Sequence, residues 1–180
     1  MVSLLKSRKV WVAIFVVVIS LMGVGVGIAS AQTGSGQAGQ PSGEVLENLY
    51  QRALLHAQSM QLRIDLANKI ASRVDELIAK ANGEGKDTTA LAAALATFKT
   101  AISASQASLD TAKATLSTHA GFDANGNVTD ADQARATLKS VREAMREAAH
   151  TLRQGTREFR HAFRQWRQAN KPTPQPSQQP

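Results

Sequence analysis

The chain has 180 residues, no cysteine, 21 Lys+Arg against 14 Asp+Glu, and a formal net charge of +7. Without cysteine it has no disulfide, no thiolate metal site and no cysteine nucleophile. Aromatics make up 4% of the chain, alanine is abundant, and β-branched runs are nearly absent beyond residue 31. Alanine is the best helix former, so this composition predicts an all-α body.

Residues 1–31 have the three parts of a secretory signal peptide. Lys6, Arg8 and Lys9 give a positive start, and residues 10–22 are apolar apart from Ser20. Gly23, Gly25 and Gly27 then loosen the helix before Ala29-Ser30-Ala31, a small-x-small cleavage site. The expected location is therefore exported: periplasmic, cell-surface or secreted. The alternative is an uncleaved inner-membrane anchor through residues 10–28, which are long enough to span a bilayer. Cleavage removes Lys6, Arg8 and Lys9, leaving 18 basic residues against 14 acidic and a net charge of +4. The excess is local: residues 148–171 carry six basic side chains and one acid, Glu158.

Residues 32–43 (QTGSGQAGQPSG) are expected to form a disordered linker. Residues 171–180 (KPTPQPSQQP) hold four of the five prolines and are expected to form an extended, disordered Pro/Gln tail. Residues 44–170 between them are expected to form the folded body.

The first predicted helix covers residues 44–81. Its apolar positions Leu46, Tyr50, Ala53, Ala57, Met60, Ile64, Ala67, Ala71, Val74, Ile78 and Ala81 alternate steps of four and three, a heptad seam. Asn82-Gly83-Glu84-Gly85 ends it, and Asp87, Thr88 and Thr89 offer N-caps for a second helix over residues 88–120. That seam is Leu91, Leu95, Phe98, Ile102, Ser105, Leu109, Ala112, Leu116 and His119. Few charges interrupt the Ala, Ser and Thr of its other faces, so it should sit close against both neighbours.

A turn at residues 121–127 leads to the third helix, residues 130–170. Thr129 with Asp132 resembles a capping box. Its seam is Ala134, Leu138, Val141, Met145, Ala148, Leu152, Gly155, Phe159, Ala162, Trp166 and Ala169. The small residues Ala148, Gly155, Ala162 and Ala169 suit a close approach to the second helix, and Gly155 equally suits a bend. Three long helices with short loops predict an antiparallel up-down-up three-helix bundle with coiled-coil-like heptad packing. The architecture resembles a spectrin-type bundle in geometry, which implies no function. Three regular seams serve one chain or a pairing of chains equally well.

Catalytic motifs are missing. There is no phosphate-cradling glycine loop before a helix, no Gly-x-Ser-x-Gly and no His-Glu-x-x-His, so an enzyme and a cofactor are not expected. His56, His119, His150 and His161 fall at different heights along such a bundle, which argues against a shared metal. Asp123, Asn125 and Asn127 begin like a calcium loop, but Val128 replaces its glycine and Ala134 its terminal glutamate. A plain turn is the expected reading.

The sharpest feature is the basic end of the third helix. Arg146, Arg153, Arg160 and Arg167 repeat every seven residues, and Arg157, Arg164 and Lys171 repeat on the next row. These form a ridge suited to an anionic partner, since the planar guanidinium can donate two hydrogen bonds to a phosphate or carboxylate. The partners expected are lipid head groups, an acidic cell-wall polymer or an acidic protein, with nucleic acid ranked below these. Phe159, Phe163 and Trp166 lie on the other side of the same segment. Trp166 rises above the start of the second helix and is expected to be partly uncovered, which makes these three candidate interfacial aromatics. The resulting expectation is an exported, non-enzymatic binding or structural module, with a membrane-associated or chaperone-like bundle as the alternatives.

Overall fold

The computed structural model describes residues 42–171. The expected signal peptide (residues 1–31), most of the expected linker and the residues beyond Lys171 lie outside the described residues. Three helices follow in order: α1 (Gly43–Gly83), α2 (Thr89–Ser117) and α3 (Ala131–Ala169). At 1.5 Å per residue they are about 62, 44 and 58 Å long. α1 and α3 run parallel, with α2 antiparallel to both, so the all-α three-helix bundle read from the heptads is the fold.

The seams meet in one core. Leu46, Ile64, Leu91, Leu95, Phe98, Leu109, Val141 and Phe159 are among its fully covered side chains. Burying each such residue contributes about 1.5–3 kcal/mol before entropy is counted. The buried apolar residues run from Leu46 to Trp166 and close a core of their own, so the bundle is a self-contained unit.

On α1 the seam drifts. Ile70 and Leu77 are buried, while Ala53 and Ile78 are only half-covered. A helix with 3.6 residues per turn slips about 20° per heptad against a 3.5-residue repeat, so the covered stripe moves one row sideways. The α3 seam shows a related shift: Thr137 is buried, Leu138, Met145 and Ala162 are half-covered, and Ala169 is exposed.

α2 and α3 form the tightest pair. A Cβ added to Gly155 would lie 2.5 Å from the Ala101 Cβ, so glycine is what lets the two backbones approach. Gly155 marks this contact, and α3 continues through it. One heptad earlier, the buried Ser105 hydroxyl donates to the Ala148 carbonyl at 2.7 Å. Near the base of the pair, the Thr137 hydroxyl donates to the Ala120 carbonyl at 2.8 Å.

The connection between α2 and α3 plugs the lower end of the core. Phe122 is buried and stacks on Tyr50 at 4.3 Å, and the Tyr50 hydroxyl donates to the Leu116 carbonyl at 3.2 Å. Gly121 has φ +85°, and a Cβ there would meet the Ala134 nitrogen at 2.2 Å. The α3 N-cap is Asp130, whose carboxylate accepts from the backbone of Asp132 and Gln133 at 2.9 and 3.0 Å. This corrects the Thr129–Asp132 capping box by one residue. α2 ends at Ser117, so His119 is an exposed turn residue with φ 51° and not a seam residue.

Candidate anion-binding surface

α3 is amphipathic because its apolar residues keep the core rhythm while Arg and Lys fill one flank. Taking about 100° per residue, Arg135, Lys139, Arg142, Arg146, Arg153, Arg157, Arg160, Arg164, Arg167 and Lys171 fall within an arc of about 80°. Between Arg135 and Lys171 the only other residue in that arc is Ala149. From Arg135 to Arg167 the basic row is about 48 Å long. Continued to Lys171 it contains all seven basic residues singled out in the sequence and adds Arg135, Lys139 and Arg142, lengthening the ridge by nearly half. The added residues follow the same alternation of three and four, which the sequence already held.

The row is not one uniform surface. Lys139, Arg142, Arg146, Arg153, Arg157, Arg164 and Lys171 are exposed, while Arg135, Arg160 and Arg167 are half-covered. Arg135 pairs with Asp132 at 2.6 Å. The Arg164 Nε donates to the Arg160 carbonyl at 3.3 Å. No carboxylate among the described residues lies within ion-pair distance of Lys139, Arg142, Arg146, Arg153 or Arg157. Two acids of α3 engage neutral neighbours: Glu147 accepts from Thr151 at 3.2 Å and Glu158 from Gln154 at 3.0 Å. Apart from the Asp132–Arg135 pair, no ion pair among the described residues offsets the charge of the row from Arg135 to Arg157.

The aromatic residues take a different place from the one expected. Trp166 is 6% exposed and Phe159 3%, and both belong to the core. Phe159 stacks on Phe98 at 5.0 Å. The reason Trp166 is covered is the loop between α1 and α2. The loop reaches the indole, and the Asp87 carbonyl accepts from the Trp166 Nε1 at 2.9 Å. Only Phe163, half-covered between these two rings, retains an open edge.

The Asp123 loop closes on itself. One carboxylate oxygen accepts from the backbone of Asn125 and Asn127 at 2.8 and 2.9 Å, and the other from the Asn127 side-chain amide at 2.8 Å. The Asn127 side-chain and backbone hydrogen bonds hold the Asp123 carboxyl below the ordinary aspartate range. Among the described residues no three His, Asp or Glu side chains gather as metal ligands. No helix of the described residues is long and apolar enough to cross a membrane. No family model, curated protein or solved structure matches the chain.

Proposed function

We propose that this protein is an exported, non-enzymatic binding module that holds an anionic partner along the basic flank of α3. The observation that carries the reading is the continuous row from Arg135 to Lys171, in which no acid falls and of which five members have no ion-pair partner among the described residues. A structural salt-bridge lattice would interleave both signs, as exposed helices usually do at i,i+4 spacing. A one-signed row repels itself and is relieved by an external anion. Guanidinium groups are suited to this because their fixed forks match phosphate and carboxylate oxygens.

The test is binding of the chain from Gln32 onward to polyphosphate across a salt series. Binding should weaken steeply as salt rises, since exposed charges are screened over about 8 Å at physiological ionic strength. Changing Arg153, Arg157, Arg160, Arg164 and Arg167 to Gln should abolish it. Equal retention of the parent and this variant would reduce the row to a solvated helix face and sink the proposal.

A further inference from the structure

α1 divides its exposed surface in two. The flank toward α2 is polar: Gln61 exchanges hydrogen bonds with Gln106 at 3.1 and 3.2 Å, and Asp75 pairs with Lys99 at 2.7 Å. The other flank, toward α3 and outward, is of another kind. Val45, Leu49, Leu55 and Leu62 are 46, 41, 64 and 70% exposed, the large apolar side chains that α1 leaves in solvent. At about 100° per residue Leu55 and Leu62 fall opposite the core stripe, on the outermost row of α1. Arg52, Arg63, Lys69, Arg73 and Lys80 are exposed on the outward and α3-facing sides of α1, and Glu76 continues the row of Leu55, Leu62 and Lys69.

The orientation of α3 follows from its contacts. Ala148, Gly155 and Thr137 face α2. The basic row lies on the opposite side of the α3 core stripe, hence toward α1. Because α1 and α3 run parallel and both turn α2 to the far side, the basic row of α3 and the α3-side flank of α1 share one face of the bundle, with Leu55 and Leu62 along its outer edge. That face is about 50 Å long and two helices wide. It combines uncancelled cations with leucines that no element covers.

We propose that this two-helix face docks on the surface of an anionic lipid bilayer, the arginines of α3 meeting the head groups while Leu55 and Leu62 enter the head-group–acyl boundary. The inference rests on the anion-binding reading and narrows its partner. A soluble polyanion explains the arginines but gives exposed leucines nothing to enter. An anionic bilayer explains both, since interfacial binding is the sum of buried apolar area and attraction to acidic lipid. The face lies flat along its length, so it differs from an aromatic tip, which the burial of Trp166 removes.

The experiment uses the chain from Gln32 onward, which holds the self-contained bundle. It is co-sedimented with vesicles of phosphatidylcholine alone and of phosphatidylcholine and phosphatidylglycerol in equal parts, and titrated separately with polyphosphate. Binding is expected to the anionic vesicles and not to the neutral ones. Leu55→Gln with Leu62→Gln, at exposed positions that do not support the core, should weaken vesicle binding about tenfold and leave polyphosphate binding unchanged. Arg153→Gln with Arg157→Gln and Arg164→Gln should weaken both. Vesicle binding by the leucine variant equal to that of the parent overturns the lipid inference while the anion-binding reading stands. If that same variant instead halves the mass measured by light scattering, the face joins two copies of this chain and the lipid inference is again overturned. Unchanged polyphosphate binding by the arginine variant overturns the reading beneath it.

Discussion

Trp166 and Asp87 are 79 residues apart and joined by one hydrogen bond, from the indole Nε1 to the main-chain oxygen at 2.9 Å. The bond fastens the last turns of α3 to the loop between α1 and α2. The carboxylate of the same Asp87 accepts from the backbone N–H of Thr89, the first residue of α2, at 2.9 Å, so this residue contacts both the tryptophan and the start of α2.

Trp166→Phe removes this bond while keeping most of the apolar volume. It should cost about 0.5–1.5 kcal/mol, the net contribution of one hydrogen bond. Trp166→Ala adds a cavity and should cost about 3–5 kcal/mol. Urea denaturation monitored by helicity measures both. A midpoint unmoved by Trp166→Phe would mean that the loop does not depend on the indole.

Gly155→Ala sets two effects against each other. Helix propensity favours alanine by about 1 kcal/mol. Against it, the new methyl would lie 2.5 Å from the Ala101 Cβ, and neither atom can rotate away. Overpacking of this kind costs about 1–3 kcal/mol, so the net effect should be destabilising. Ala101→Gly in the same chain should restore much of the loss. A double-mutant cycle showing no coupling between the two sites would contradict the close approach of α2 and α3.

Asp123→Ala should lower the melting temperature at neutral pH, because three hydrogen bonds that shape the loop end on its carboxylate. Its folded pKa is depressed below the ordinary 3.8, chiefly by the Asn127 side chain and then by the Asn127 backbone. A depressed carboxyl contributes stability that is present above the unfolded pKa and lost as pH falls through the folded one. The gap between parent and variant should therefore close as pH falls through this range. A gap of constant size down to about pH 2 would assign the effect to something other than the carboxylate.

Arg153→Gln, Arg157→Gln and Arg164→Gln together should leave the melting temperature unchanged or slightly raised. Arg153 and Arg157 have no ion-pair partner to lose among the described residues, and thinning a one-signed row reduces self-repulsion. A clear drop would give these arginines a structural role and weaken their assignment to a partner.

Exported protein should begin at Gln32. N-terminal sequencing of the extracytoplasmic fraction checks this, and a chain that still begins at Met1 would place the bundle on a membrane anchor.

The sequence by itself determined the helices and their direction. Alternation of threes and fours placed nearly all of the α2 seam, from Leu91 to Leu116, because a regular apolar stripe can be covered in only one way. It also held the whole basic row, including Arg135, Lys139 and Arg142, because helical position is arithmetic. Tertiary structure decided what arithmetic along one helix cannot reach. Trp166 is covered because a loop from 79 residues away reaches it. Gly155 is a close contact because Ala101 stands opposite. Ile70 is buried and Ile78 only half-covered because a real helix drifts against an ideal heptad. Val45, Leu49, Leu55 and Leu62 are scattered apolar residues in the chain. Leu55 and Leu62 edge the face that carries the arginines only because α1 and α3 lie parallel with α2 behind them.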